Sequence, residues 1–170
     1  MSNERLSNGS ELPTAMMILG KHLNLEGYAA VMGPEIGGSN GMCAFPIAVN
    51  MDLPIVDADT MGRAFPRVDL GLPYVYGEAV PYPAVFTDPR GNIQIIAAAE
   101  DYHRFETMGR AACVELGGSA AMALNPLSGA VIQKYCCHRG LSSAWFIGRE
   151  IYLARIKKTN PAKAVVSLNP

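Results

Sequence analysis

Residues 56–66 read Val-Asp-Ala-Asp-Thr-Met-Gly-Arg-Ala-Phe-Pro, a run that decides where a strand must stop and what it carries at its end. Ile55, Asp57 and Asp59 alternate with Val56 and Ala58, so in an extended chain the two acids share one face with Cα atoms roughly 6.5 Å apart. Thr60, Gly62 and Pro66 argue against continuation and lift Asp59 and Arg63 to a sheet edge, where open α/β sheets bind ligands. That spacing suits a shared cation or a polar substrate. Spacing alone favours an Asp–Arg pair bracing a loop, because structural ion pairs are common.

The flanking pattern says which sheet this is. Ser10 is placed to cap a helix with Pro13 in its first turn, and Leu12, Met16, Leu19 and Leu23 recur at helical spacing until Gly27. Residues 28–32 read as a buried strand, 40–50 as a helix and 54–58 as the next strand. Pro46 opposes that helix unless it is kinked or starts late, since an interior proline costs ~3 kcal/mol. With the helix in place, the unit is a right-handed βαβ crossover between parallel strands. Glu35 then follows the first strand while Asp57 and Asp59 end the second, so two distant acidic motifs meet at one carboxyl edge.

Residues 83–87 and 92–97 read as a hairpin turned by Asp88-Pro89-Arg90-Gly91. Asp101 is placed to cap a helix with Phe105, Met108, Ala112 and Leu116 along one side, stopped by Gly117-Gly118. Residues 120–124 suit a strand, and Ser142 opens a last helix through Trp145, Ile151 and Ala154 to Lys158. The fold class expected is α/β, a mixed sheet flanked by helices. A chain of 170 residues with 49% hydrophobic content and 17 glycines makes one loop-rich domain with one core.

A net charge of −1 gives no basic stripe to neutralise phosphates, so nucleic acid and anionic membranes are not expected partners. No apolar run approaches the ~20 residues that span a bilayer, and the polar start lacks a signal-peptide stretch, so a cytoplasmic location is expected. Cys43, Cys113, Cys136 and Cys137 follow no disulfide framework, and adjacent cysteines are poor partners. Cys136-Cys137-His138 invites a zinc reading, but neighbouring side chains in an extended segment point to opposite faces and no second ligand pair follows at finger spacing. Buried or surface thiols are the simpler account. His22 and His103 fall on solvated helix faces and form no Ser-His-Asp or Cys-His arrangement.

Glu35 sits in Pro-Glu-Ile-Gly-Gly-Ser-Asn. Gly37 and Gly38 allow the backbone to approach a ligand and aim amides at it; a tight turn with Glu35 capping the next helix explains the same pattern. Asn40 has two competing uses, as a helix cap or as an amide donor to a ring carbonyl. The Arg63 guanidinium is too basic for proton transfer and serves as an anchor for an anion or for the aspartates.

The run at residues 56–66 resembles the V-D-A-D-x-M-G-R-A block of the S-methyl thiohydantoin desulfurase family, also described as hydantoinase-associated proteins. Residues 2–12 are similar to that family's S-E-R-L and E-L segment, and residues 34–41 to its E-I-G-G-x-N motif. Residues 110–117 and 141–149 resemble later blocks in the same order. The resemblance treats residues 1–158 as the central part of the family's N-terminal domain and residues 159–170 as a loose tail, without the glycine-rich opening and second domain of longer members. Relatives tend to carry threonine where Gly140 stands.

By that resemblance the chain is a hydrolase-like domain acting on a small five-membered thiohydantoin or hydantoin ring, replacing sulfur with oxygen at the carbon between the two nitrogens. Glu35, Asp57 and Asp59 would then be catalytic, and Gly37, Gly38, Asn40 and Arg63 would bind the ring. A divalent metal such as zinc is compatible with such chemistry. The alternatives are a noncatalytic partner or regulatory module of a hydantoinase- or oxoprolinase-type enzyme, with the acidic edge as its interface, a homo-oligomer, or an inactive truncated remnant.

Overall fold

The computed structural model describes residues 7–168; residues 2–6 of the family-like opening segment lie outside the described residues. Its architecture is mixed α/β, with a three-stranded antiparallel sheet between two helical layers. The centre is β2 (Ala84–Thr87), whose four residues are all buried. It pairs with β3 (Ile93–Ile96) on one side and β4 (Ala121–Ala123) on the other. The β2–β3 hairpin is the one the turn residues predict, and Asp88 Oδ1 accepts amides from Arg90 and Asn92 to fix that turn.

Strand alternation distributes β2 between two cores. Val85 joins Ala15, Leu19, Val31, Ala44 and Ile47 beneath α1 (Glu11–His22) and α2 (Ala44–Met51). Ala84 and Phe86 face Phe105, Ala112 and Leu116 of α4 (Tyr102–Glu115) and its C-cap. Asp101 caps α4 by accepting the Arg104 amide, as expected. The Thr87 hydroxyl donates to the Glu11 carbonyl at 2.8 Å and ties the sheet to the start of α1.

The expected parallel strands are reduced to one bridge, Val31 with Ile55. Val31 donates to Pro54 O and Val56 donates to Val31 O, both at 2.9 Å. Pro54 has no amide to extend the ladder, and the turn at Gly33-Pro34 ends it on the other side. The helix expected over residues 40–50 divides into a 3-10 turn, Gly38–Gly41, and α2. Pro46 thereby falls in the first turn of α2, where a missing amide is harmless.

Beyond the main sheet, β1 (Ala58–Asp59) pairs antiparallel with β5 (Cys137–His138). Three short helices lie outside the expected set: α3 (Leu72–Val75), α5 (Gly129–Tyr135) and α7 (Pro161–Val166). The last occupies the stretch expected as a loose tail, with Asn160 accepting amides from Ala162 and Lys163 as its cap. Between α5 and α7 runs α6 (Gly140–Ile156), which begins two residues before Ser142. No helix among the described residues is long and apolar enough to cross a membrane.

Candidate functional site

Two acidic loops leave the Val31–Ile55 bridge in the same direction because that bridge is parallel. Glu35 follows Val31 by four residues and Asp59 follows Ile55 by four, so one register brings both to one end. Thr60 joins the loops: its amide and its hydroxyl both donate to Pro34 O, at 3.0 and 2.6 Å.

Glu35 is 8% exposed. Its Oε1 accepts from Asn40 Nδ2 at 2.8 Å and its Oε2 from the Phe65 amide at 3.0 Å. The side chain therefore fixes Asn40 and clamps the loop that follows Arg63. Gly37 serves packing, since a Cβ there would meet Ala64 Cβ at 2.7 Å and Ala64 N at 2.9 Å. Gly38 supplies the positive φ of 59° that opens the 3-10 turn, and a Cβ built on it meets nothing within 4 Å.

Asp59 is 3% exposed. Its Oδ1 accepts the amides of Met61 and Gly62, while Oδ2 is buried with no hydrogen-bond partner. A carboxylate oxygen in that condition bears an uncompensated desolvation cost. A Cβ built on Gly140 would lie 3.1 Å from Oδ2 and 3.5 Å from Ile36 Cγ1. A side chain at 140 would therefore crowd Oδ2, and glycine lets the start of α6 pack close against the unpartnered oxygen.

Asp57 and Asp59 do share one face, and that face meets the start of α6. Asp57 Oδ1 accepts the amides of Leu141 and Ser142 at 3.0 and 3.1 Å, and Arg139 N donates to Asp57 O at 2.8 Å. α6 has no side-chain cap of its own, because Arg139 precedes it in the left-handed region at φ 65°. Asp57 supplies that cap from elsewhere in the chain. Burial alone would raise its pKa, but the hydrogen bonds from Ser142 and Leu141 and the Arg139 charge outweigh it and hold the carboxyl below its usual range.

Arg63 is exposed on the rim, its guanidinium 5.3 Å from the Phe65 ring centroid. It is in none of the ion pairs found among the described residues, so the expected Asp–Arg brace does not form. The structure gathers Glu35, Asn40 and Asp59 on connected loops, sets Asp57 at the α6 terminus and leaves Arg63 outside.

Cys136, the C-cap of α5, and Cys137, the ladder partner of Asp59 in β5, lie near the Asp59 carboxylate. Burial, then the charges of Asp59 and Cys137, push the Cys136 thiol up to about 11. Burial and Asp59 raise Cys137 in the same direction. Neither thiol is a ready nucleophile. Among the described residues no group of three or more His, Cys, Asp and Glu side chains is arranged to hold a metal ion. The donor set does not fit zinc, and no step is routed through a metal. Open clefts lie away from the acids, one of about 360 Å³ lined by Glu78, Asn125 and Val131 and another of about 220 Å³ lined by Phe86, Cys113 and Met122.

Thr60, Gly140 and Ser142 were not among the residues expected at the site. Only Gly140 offered a local sign, as a glycine directly before a helical run. The contribution of the other two depends on contacts with chain far away in sequence.

Residues 1–98 match the family model described as S-Me-THD-like, N-terminal domain, and residues 100–170 match S-Me-THD-like, C-terminal domain. The boundary falls between β3 and α4, inside the stretch 1–158 expected as one partial domain. A crystal structure of a protein from Chromobacterium violaceum superposes with a TM-score of 0.78 at 24% identity. That match covers 94% of this chain and 44% of the other, so the chain spans less than half the length of this solved relative. Comparison with the curated proteins gave no match.

Proposed function

This chain belongs to the S-Me-THD-like family, and on that premise we propose that it hydrolyses a carbon–sulfur bond on a thiohydantoin-type five-membered ring, with Asp59 as the base. The supporting observation is Asp59 Oδ2, a buried carboxylate oxygen that lacks a donor and lies against the start of α6 at Gly140. Opening of α6 from residues 57–59 would let a water or a ring N–H supply the missing hydrogen bond. The Oδ1 bonds from two backbone amides hold the carboxylate in one orientation, as a positioned base requires.

In the proposed reaction, water adds to the ring carbon between the two nitrogens and gives a proton to Asp59 Oδ2. The carbon–sulfur bond then breaks. Asp59 passes the proton it took to the departing sulfur, water's second proton goes to the ring nitrogen, and the carbon keeps the oxygen as a carbonyl. Glu35 orients Asn40, whose amide donates to a ring carbonyl. Arg63, exposed at the rim, holds an anionic substituent of the ring. Asp57 acts by positioning the α6 terminus beside Asp59.

Asp59→Asn keeps the shape and removes the basicity, so turnover of an S-methyl thiohydantoin should fall by about 10²–10⁴-fold with far-UV circular dichroism unchanged. Arg63→Lys keeps the charge but loses the planar fork and should chiefly raise KM. Undiminished turnover by folded Asp59→Asn protein eliminates this chemistry. A second reading, a noncatalytic module of a hydantoinase-type enzyme, is favoured by both Glu35 oxygens being taken up within the chain. It requires that the unmutated chain bind such an enzyme and turn over no ring substrate by itself.

A further inference from the structure

α6 is fastened to residues 57–59 by its first turn. Of its seventeen residues Ala154 alone is buried, and among the described residues neither hydrophobic core holds a member of α6 or α7. Instead α6 packs on α7 and on β1. Thr159 ties the two helices into one arm, its amide and hydroxyl both donating to Ala154 O at 2.9 and 3.3 Å. An element held by few buried apolar contacts opens at a lower free energy than the core it leaves. The two acids act on this arm in opposite senses. Asp57 Oδ1 accepts the Leu141 and Ser142 amides and holds the arm down. Asp59 Oδ2 is buried without a donor under the same turn, 3.1 Å from where a Cβ on Gly140 would stand. Lifting the arm lets water reach this oxygen, so the closed state bears a desolvation cost that the open state does not. The amino-terminal dipole of α6 offsets part of that cost but supplies no hydrogen bond.

We propose that α6 and α7 form a lid that pivots at Arg139, is latched by Asp57, and opens to admit water to Asp59. Arg139 joins a fixed segment to a moving one. On its amino-terminal side the pairing of β5 with β1 continues into the Arg139 amide, which donates to Asp57 O at 2.8 Å; on the other side α6 begins at once. The φ of 65° puts a residue with a side chain in the left-handed region, a conformation that neighbouring contacts must hold. Released from the latch, Arg139 returns to the ordinary right-handed region and swings the arm aside. Gly140 fits the same account: lacking a side chain, it lets the lid close onto Oδ2 and onto Ile36, whose Cγ1 is 3.5 Å from the missing Cβ. The use of the lid in catalysis rests on the reading of Asp59 as a base, whereas its motion does not.

Leu141 and Ser142 stand second and third in α6, where amides have no acceptor within the helix, so their protection from hydrogen exchange reports the Asp57 contact alone. In the native protein both should exchange at least about tenfold faster than Val85 and Phe86 of β2 and depend less on urea, because a lid exposes less surface than unfolding does. Amides from Trp145 onward, bonded within the helix, should stay better protected than these two. Asp57→Asn keeps the acceptor but loses its charge and should speed both amides about threefold. Asp59→Asn keeps the shape but removes the buried charge and should slow them by a similar factor. The same substitution two residues apart thus acts with opposite sign, and either variant that folds carries the comparison with the unmutated protein. Three results would overturn the proposal: Leu141 and Ser142 matching β2 in rate and urea dependence, loss of protection running through α6 with them, or either substitution moving exchange against its sign. No substrate is needed, so opening without turnover of an S-methyl thiohydantoin would remove the hydrolase reading and leave the lid, while turnover without opening would do the reverse.

Discussion

Asp59 uses its two carboxylate oxygens for unlike tasks. Oδ1 closes the turn through Met61 and Gly62, while Oδ2 remains without a donor beside two cysteines whose thiols it pushes upward in pKa. For Cys136, 7% exposed and titrating at about 11, this means a thiol that stays protonated in ordinary buffer. Alkylation of the native protein at about pH 8, near the usual thiol value, should leave Cys136 unmodified, and denaturation should release it to the reagent. Peptide mass mapping distinguishes the two states. Fast labelling of Cys136 in native protein would mean that the C-terminal end of α5 opens readily.

Among the elements, α6 depends on an acid that is remote in sequence. The Asp57 carboxyl titrates below its usual range when folded, so its stabilising contribution is present above the unfolded value of ~3.9 and is lost as pH falls through the lower folded value. Asp57→Ala should destabilise the protein by about 1 kcal/mol near neutrality, as cap removal does, and the difference from the unmutated protein should shrink in acid. Urea titrations across pH read this directly; a pH-independent difference would remove the carboxylate from the account. α1, the β2–β3 hairpin and α4 were legible because their signals are local: helical repeats, turn residues and Asp101 before a helix. The joining of the loops that carry Glu35 and Asp59, through Thr60 and Pro34 O, was also legible from the parallel register. The capping role of Asp57 and the close approach of Gly140 to Asp59 were not, because each exists only once residues 57–59 meet residues 139–142. α3, α5 and α7 are too short for a repeat to stand out.

At the scale of the molecule, the ladder of β1 with β5 pairs Ala58 with His138 and Asp59 with Cys137, joining a residue from each of the two family matches. The order of assembly follows from it. The β2–β3 hairpin closes between neighbours, Thr87 with Ile93 at its tip, whereas the β1–β5 contact closes a loop that begins at residue 58 and ends at residue 138. An ideal chain of that length resists closure by about 4 kcal/mol, so the local hairpin should form first and the long contact late. In pulse-labelled refolding, amides of the hairpin should become protected before the Arg139 amide, which donates to Asp57 O; the reverse order would contradict this sequence of events. A ribosome making this chain therefore releases the carboxylates of residues 57 and 59 long before their setting exists, and they acquire it only when residues 137–142 have emerged.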